Sequence, residues 1–425
     1  MRAALWLMAL FAVAAVSALF AGNNHGTVTI YWPPHRVDLS LNLVLLVLAL
    51  GFVTLHLALR ALSALLRIPQ SARDWRLSQR ERAIYAALLD AWFHLVSGRF
   101  VRARKAAELV ASLEESVQRS GEQLPHAGRL RAIAHLLAAE SAHAVQDRAR
   151  RDSHFEQALE HTSKRDAQDA REGVQMRAAR WAFDDRDASA TMQWLDQLPV
   201  GAARRTIALR LRFKAARQSG ESRLALETVR QLTKHRSFSE SAGRSIARGL
   251  AVEMIRSAHD QVQVQAVWDA LNGDEQSLVD VAVEAAERLM LVGGDVDLAL
   301  RWVLPIWNSL VQSPESLTLA QKVRLVRVLE TGFNAAQGVP DAAWLSRIES
   351  AQMGKPNDVT LQYLAGRVCM RLSLWGKAQQ LLKQSLTRLQ DPDLKRDAWR
   401  ALAQLAEQRN DIPAAAEAYR EAAKR

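Results

Sequence analysis

The sequence predicts an all-α protein, in which an N-terminal two-helix transmembrane hairpin is followed by a tetratricopeptide-type α-solenoid. Two observations support this prediction. Two uncharged apolar runs lie within the first 60 residues, and a helix–turn–helix pattern then recurs at intervals near 34 residues. The chain has 425 residues. Roughly 340 of them follow the hairpin, which is more than one compact core usually holds.

The apolar runs lie at about 3–21 and 39–59, separated by a loop at 22–38. A helix of about 20 residues rises about 1.5 Å per residue and so crosses the roughly 30 Å hydrocarbon core. Both runs are therefore predicted to span a membrane, and residues 1–64 form the predicted transmembrane hairpin.

A basic juxtamembrane segment, 65–82, follows the second run. Because excess Lys and Arg stay on the cytoplasmic side, both termini and the helical body are predicted to be cytoplasmic. The alternative is a cleaved signal peptide ending near Val16 and Ala18, which would leave the second run as an anchor and reverse the body's location. The segment contains five arginines: Arg67, Arg73, Arg76, Arg80 and Arg82.

Charge limits the expected binding partners, and cysteine content indicates the cellular compartment. The net charge is +11, and the arginine segment is expected to attract anionic lipid headgroups. Nucleic acid is not an expected partner, because the chain contains no recognised nucleic-acid-binding module. Cys369 is the single cysteine, which excludes an internal disulfide and fits a reducing compartment.

The repeat is clearest at the C-terminus. Small residues there would let two antiparallel helices approach closely, while large ones fill the space beside them. The predicted first helix is lined by Trp399, Leu402, Ala403 and Ala406, the turn is Asn410 and Asp411, and the second helix is lined by Ala415, Tyr419 and Ala422.

Six further copies share this pattern, each with a polar or glycine turn between two helices. Any one match is weak, because amphipathic helices commonly supply such spacing, but seven in one chain favour a solenoid. The matching positions are Ala91, Gly98, Phe100 and Ala103; Ala139, Ala142, Phe155 and Ala158; Ala178, Trp181, Ala190 and Trp194; Ala216, Gly220, Ala225, Val229 and Leu232; Gly294, Val296, Ala299 and Val303; and Gly366, Trp375, Ala378, Leu382 and Ser385.

The repeats divide the body into three parts. Residues 83–235 and 354–425 contain tetratricopeptide-like copies, and residues 236–353 contain degenerate helical repeats. Stretches 244–272 and 318–353 match the repeat pattern poorly. They are either degenerate copies of the repeat or a break between two subdomains near 235–275. Loops are predicted at 117–128, 236–243, 311–317 and 336–341, which are richer in Gly, Pro and Ser.

The sequence does not predict an enzyme. It contains no phosphate-binding glycine loop after a strand, no CxxC pair and no HExxH motif, so no catalytic residue, cofactor or metal site is predicted. Two histidine pairs, His135 with His143 and His154 with His161, have helical spacing that could face a metal or haem iron. The alternative is that they are ordinary helix-surface histidines, because no cysteine or carboxylate cluster accompanies them.

A candidate partner-binding groove lies one position away from the packing residues on the first helix of several repeats. Such a lining would favour an acidic peptide or a carboxylate through charge-assisted hydrogen bonds. A solvated basic face is the alternative. The residues are Arg210, Lys214, Arg217, Tyr363, Arg367, Arg400 and Gln404.

The N-terminal segments resemble the HemY family. The loop carries HGTVTI and then VDLSLN, the arginine-rich segment follows, and the first two repeats contain LLDAWFHLVSGRFVRARKAAEL and LLAAESAH. The resemblance covers nearly the whole chain, although its C-terminal repeats are generic. It implies a multi-pass protein of the bacterial inner membrane that is associated with late haem synthesis.

The resemblance further implies a scaffold that binds protein partners, such as ferrochelatase or other haem-pathway enzymes. It supplies no established catalytic residues, and it leaves open whether haem or porphyrin is ever contacted. The alternatives are an assembly factor for another envelope or cytochrome complex, and a protein that handles porphyrin or haem.

Overall fold

The computed structural model describes residues 2–22, 25–122, 124–163, 167–335 and 342–424. It divides into two compact units, Met1–Ala170 and Arg171–Arg425. The N-terminal unit contains helices and one pair of strands: α1 (Arg2–Gly22), β1 (Thr27–Trp32), β2 (His35–Ser40), α2 (Leu41–Val96), α3 (Phe100–Arg119), α4 (Ala127–Ala144) and α5 (Arg148–His161).

The predicted loop at 22–38 contains a β-hairpin, so the all-α prediction is wrong at this point. Strands β1 and β2 pair antiparallel from Thr27 opposite Ser40 to Trp32 opposite His35. The Thr29 hydroxyl donates a hydrogen bond to Asp38 across the pair at 2.6 Å. β-branched and aromatic residues favour strands, and TVTIYW and HRVDLS form two six-residue runs around a two-residue turn.

Helix α2 is continuous over 56 residues. Its first part, Leu41–Ser63, is the one stretch among the described residues that is long and apolar enough to cross a membrane, and none of it is buried. The arginine segment 65–82 continues the same helix into the first repeat. Although α1 is helical where the first span was predicted, the two-helix transmembrane hairpin is not confirmed.

In the N-terminal unit, α2 packs with α3, and α4 with α5. The small residues predicted to allow close helix contact are fully buried: Ala91, Ala103, Ala139, Ala142 and Ala158. An alanine methyl group fills the space where two helix backbones approach, so these positions tolerate little added volume.

The C-terminal unit also consists mainly of helices packed in pairs. Its elements are α6 (Gln168–Asp184, which begins three residues before the division), α7 (Ala188–Asp196), α8 (Val200–Ala203), α9 (Thr206–Ser219), α10 (Ser222–Lys234), α11 (Glu240–Ser257), α12 (Gln261–Ala270), α13 (Gly273–Gln276), α14 (Val279–Leu291), α15 (Val296–Gln312), a 3₁₀ turn (Pro314–Ser316), α16 (Leu319–Ala335), α17 (Ala342–Gly354), α18 (Val359–Arg371), α19 (Trp375–Leu386), α20 (Pro392–Gln408) and α21 (Ile412–Ala423).

The seven predicted repeat copies share one turn geometry. Each has a residue with left-handed backbone between its two helices: Gly98, Gln146, Arg186, Gly220, Gly293, Ser373 and Asn410. In every copy the N–H of the next residue donates to the carbonyl five positions earlier, as Asp147 does to Ala142 and Asp411 to Ala406. This is the hydrogen-bond pattern of a Schellman helix end, so the turns are equivalent even where the sequence is not.

The C-terminal unit has a small hydrophobic cluster from Ala179 to Leu211 and a large one that runs from Ala216 to Ala418 and includes residues of both poorly matching stretches. Helix α14 contacts α11 on one side and α16 on the other, so no break separates subdomains near 235–275. The irregularity lies in the second helix of the pair that begins with α11. There a ten-residue helix, α12, and the single turn α13 replace one longer helix.

Individual packing positions differ from the predicted pattern in two copies. Tyr419 is 42% exposed, and Ala418 occupies the buried position beside it. In the third copy Thr191 and Leu195 are buried, one position after the predicted Ala190 and Trp194. Two predicted loops are shorter in the structure: α3 continues to Arg119, into the loop predicted at 117–128, and α11 begins at Glu240, within the loop predicted at 236–243. The loop predicted at 336–341 lies outside the described residues.

Candidate functional site

The first helices of the C-terminal repeats are joined by ion pairs across their exposed sides. We call this surface the first-helix face; it is formed by α9, α11, α14, α16, α18 and α20. The pairs link each first helix from α9 to α18 with the next first helix: Arg217 with Glu253 at 2.5 Å, Arg248 with Asp280 at 2.9 Å, Arg256 with Glu284 at 2.7 Å, Arg324 with Glu287 at 2.5 Å, and Arg367 with Glu330 at 2.5 Å.

Glu284 on α14 joins three of these helices. Its carboxylate accepts two hydrogen bonds from Arg256 on α11, at 2.7 and 2.9 Å, and one from Arg324 on α16, at 3.0 Å. Burial raises the pKa of Glu284, but the two guanidinium groups outweigh it and hold the pKa below its ordinary value. Glu284 is therefore an ionised link at the centre of the face.

A cavity of about 360 Å³ opens on this face between α16, α18 and α20. Three guanidinium groups and two carboxylates line it, together with three uncharged polar side chains. The Nε atom of Arg327 is buried there and has no hydrogen-bond partner in the described part of the chain. The lining residues are Arg327, Glu330, Thr331, Asn334, Arg367, Asp397, Arg400 and Gln404.

The structure brings only three of the seven predicted groove residues to this cavity: Arg367, Arg400 and Gln404. Arg400 is exposed and bonds Asp397 at 3.4 Å. Tyr363 is not on the surface. Its ring is fully buried, and its hydroxyl donates to Glu330 at 2.8 Å. Burial, with the Glu330 carboxylate beside it, raises the pKa of Tyr363.

The other three predicted groove residues lie on α9, away from the cavity. Arg210 and Lys214 are exposed, and Arg210 donates to the Ser237 carbonyl at 3.3 Å. Arg217 is paired with Glu253. The predicted basic lining is therefore partly neutralised by carboxylates on the neighbouring helix.

Sequence reasoning missed these acidic partners and the contribution of α16. The signal for them was the repeat length itself. Arg217 and Glu253 are 36 residues apart, and Glu330 and Arg367 are 37 apart. Opposite charges separated by about one repeat occupy equivalent places on adjacent first helices, so they can meet across the face.

The histidines of the N-terminal unit form a stack rather than the predicted pairs. The Nδ1 atoms of His135 on α4 and His154 on α5 are 3.2 Å apart, and the ring of His161 lies 5.6 Å from that of His135. His143 contacts Arg151 instead, at 3.3 Å. Across the described residues, no group of three His, Cys, Asp or Glu side chains is arranged to hold a metal ion.

Burial and, to a smaller extent, repulsion by the positive charges of His154, His161 and Arg131 together lower the pKa of His135 to about 4. His135 is therefore neutral near pH 7. His154 also lies 3.4 Å from Glu108 on α3. The stack joins α4 to α5, and a neutral central imidazole suits that partly buried position.

The fold and the face together define a helical-repeat protein of the tetratricopeptide type. Within the described part of the chain, one helix is long and apolar enough to cross a membrane. Residues 26–146 match the family described as "HemY protein N-terminus". The match confirms, over these residues, the resemblance to the HemY family that the N-terminal segments predicted. The matched region runs from the β-hairpin through α2, α3 and α4.

Solved structures similar to this chain share about one residue in seven with it. A structure described as the APC/C hetero-tetramer Cut9-Hcn1 is 14% identical, covering 80% of this chain and 65% of that one, with a TM-score of 0.29. The yeast Tom70 structure is also 14% identical, covering 74% and 62%, with a TM-score of 0.29. A circular tandem repeat protein is 15% identical, covering 81% and 96%, with a TM-score of 0.23.

This chain thus spans less than two thirds of the first two of those proteins. Similarity at such low TM-scores carries no argument about function. The repeat fold is defined by the paired helices and equivalent turns of the chain itself. Curated proteins yielded no significant match.

Proposed function

We propose that this protein is a membrane-anchored scaffold that binds protein partners of late haem synthesis. The observation that carries the proposal is the family match at residues 26–146, which includes both the apolar stretch and the first repeat. Because Leu41–Ser63 and the first repeat helix belong to one continuous helix, α2, a membrane anchor would position the repeats directly.

The proposal places the protein in the bacterial inner membrane with two spans and with both termini and the repeats in the cytoplasm. The distribution of arginines supports this orientation, because few precede residue 22 and many follow residue 59. The same arginines would bind anionic headgroups at the cytoplasmic surface.

The partner would bind at the cavity of the first-helix face through acidic side chains. Arg400 is exposed there and is the guanidinium group that a partner carboxylate would reach, because the Arg327 guanidinium already pairs with Asp391 and Asp393 at 3.6 and 3.1 Å. A carboxylate can accept from a guanidinium group through two parallel hydrogen bonds, which gives both affinity and orientation. Ferrochelatase and its neighbouring enzymes are the proposed partners.

The proposal assigns the chain no catalytic residue and no cofactor. Its support is the absence from the sequence of the motifs that seat nucleotides, flavins and catalytic metals. The protein would act by bringing enzymes together at the membrane, so its loss would affect flux through the pathway rather than one chemical step.

Site-specific photo-crosslinking in native membranes tests the proposal. A photoreactive side chain is placed at Gln404, which lines the cavity, and in a control at Lys383, which is exposed on the second helix α19. We expect haem-pathway enzymes to crosslink at Gln404 and not at Lys383, and to be lost with Arg400→Glu. Crosslinks only to proteins of another envelope or cytochrome complex would replace this function with the assembly-factor alternative.

A topology reporter fused after residue 425 tests the location separately. Activity of a cytoplasmic reporter is the expected result. A reporter active only in the periplasm would remove the proposed partners, because it would put the repeats on the opposite side of the membrane from haem synthesis.

The histidine stack favours one second candidate, a protein that handles porphyrin or haem. Neutral imidazole is the form that binds iron, and His135 is held neutral near pH 7. Titration of the purified protein with haem, followed by absorbance, decides between the two. A stoichiometric complex that is lost with His135→Ala would favour this candidate, whereas no complex favours the scaffold.

A further inference from the structure

Helix α2 has a second apolar side, which no described residue covers. Over residues 84–96 one side packs into the core with α3 and α4, where Ile84, Ala87 and Ala91 are buried. The opposite side is also apolar and is 39–70% exposed. We call it the α2 stripe; it consists of Tyr85, Leu89, Trp92, Phe93 and Val96.

A helix side made of large apolar residues is normally packed against another element. The exposed side of α2 therefore differs from the scattered apolar residues of an ordinary surface. Contiguous exposed apolar patches of several hundred Å² mark interaction sites.

The spacing of the stripe fits one kind of contact. Tyr85, Leu89, Trp92 and Val96 follow one another at intervals of four, three and four residues. This is the 3.5-residue period with which two helices pack side by side in a coiled coil. The stripe begins one turn after Arg82 and ends at the turn containing Gly98, so it occupies about three helical turns.

We propose that the α2 stripe is the interface between two copies of this chain, which pack their α2 helices in parallel. The continuity of the stripe with Leu41–Ser63 in one helix, α2, supports this parallel packing. Copies inserted in one membrane with the same orientation project their α2 helices in the same direction. Each stripe then begins at the same height, about 33 Å beyond Ser63, so each helix meets its own counterpart in register.

The exposed area is sufficient for such a contact. A Phe, Tyr or Trp side chain buries about 150–250 Å² when enclosed, so the exposed parts of the stripe amount to roughly 500 Å² per copy. Two copies would bury about 1,000 Å², the lower limit for a specific interface. Two helices held in one membrane lose less freedom on association than two free chains, so an interface of this size suffices.

The proposal rests on the membrane anchoring of α2 and not on the haem-related function. Its failure would leave the crosslinking at Gln404 unaffected, because the first-helix face lies on α9–α20 and needs no second copy. The two proposals are therefore tested independently.

Disulfide crosslinking of the full-length protein in native membranes tests the dimer. Single cysteines are introduced by L89C and V96C within the stripe and by D90C as a control, because Asp90 is exposed on another side of α2. The native Cys369 is buried, and burial raises the pKa of its thiol, so it reacts poorly. Under mild oxidation, L89C and V96C should give a product of twice the 47.3 kDa chain mass, whereas D90C and the wild type should not.

Crosslinking at Leu89 that is no greater than at Asp90, or a product containing a different protein, would overturn the proposal. A second measurement uses the double variant L89E/W92E in lipid nanodiscs, with mass determined by light scattering. The control is V262E, whose site is 74% exposed in the other unit. We expect dimers for the wild type and V262E and monomers for the double variant with unchanged helical circular dichroism. A monomeric wild type, or a dimeric double variant, refutes the interface.

Discussion

Replacing Glu284 with glutamine should destabilise the C-terminal unit by about 2 kcal/mol. The carboxylate accepts three charged hydrogen bonds, each of which contributes about 1.5–3 kcal/mol when buried. Arg256 is mostly exposed, so solvent screens its share, while the Glu284 side chain is only 11% exposed. The screened sum of these contributions is about 2 kcal/mol.

The effect should depend on pH in a definite direction. The folded-state pKa of Glu284 lies below its ordinary value of 4.5, so ionised Glu284 stabilises the fold above that pH. The stabilisation is lost as pH falls through the folded-state pKa. The glutamine variant should therefore differ most from the wild type near neutral pH and approach it in acid.

Urea unfolding of the detergent-solubilised full chain measures the change, and hydrogen exchange localises it. We expect faster exchange in α11, α14 and α16 together, because Glu284 links all three. The control is Glu240→Gln, which removes an exposed pair with Arg244 and should cost less than about 0.5 kcal/mol. Equal losses for the two variants, or faster exchange confined to α14, would refute the reasoning.

Three further predictions concern single positions. Gly366→Val should cost about 2 kcal/mol in thermal unfolding, because a Cβ there would lie 2.8 Å from Leu382 Cγ; an unchanged melting temperature would contradict this close contact. For His135, whose folded pKa of about 4 lies below the unfolded 6.5, stability should fall as pH drops from 6.5 to 4, by about 1–2 kcal/mol after allowance for solvent screening. His135→Gln should remove that slope in urea titrations. Tyr363→Phe should cost about 1 kcal/mol by removing the hydroxyl that bonds Glu330, with helical content retained.

The repeats could be predicted from sequence because their signal is local. Ala403 and Ala415 are spaced so that two helices can approach, and both are buried as that spacing requires. A pattern of this kind repeats because each helix pair contacts chiefly its neighbours. Similar reasoning could have found the β-hairpin, whose six-residue runs and two-residue turn are visible in TVTIYWPPHRVDLS.

The turns were less predictable than the helices they join. Gly98 and Gly220 indicate left-handed turn residues in the sequence, because glycine has no side chain that opposes a positive φ. Arg186 and Ser373 adopt the same left-handed conformation in other copies, although neither residue type indicates it in the sequence. There the stacked helices impose the conformation, so the strain is offset by packing elsewhere.

The candidate site depended on pairings that the sequence does not specify. Arg217 and Arg367 were predicted as free basic residues of a groove, yet each faces a carboxylate on the adjacent helix. Tyr363 has the spacing of a groove residue, but its ring is buried in the core and its hydroxyl donates to Glu330 on α16. Spacing along one helix identifies a side, but only the neighbouring helix decides whether that side is open.

The sequence by itself determined the helical-repeat class and the apolar stretch of α2, since each follows from composition and spacing within one or two helices. The tertiary structure alone decided which charges pair, which histidines stack, and that the apolar stretch and the first repeat form a single helix with an apolar side that no described residue covers. The physical reason is the separation along the chain over which each interaction acts. Helix formation and amphipathic spacing act over a few residues, whereas ion pairing and exposure depend on which helices the stacking makes neighbours.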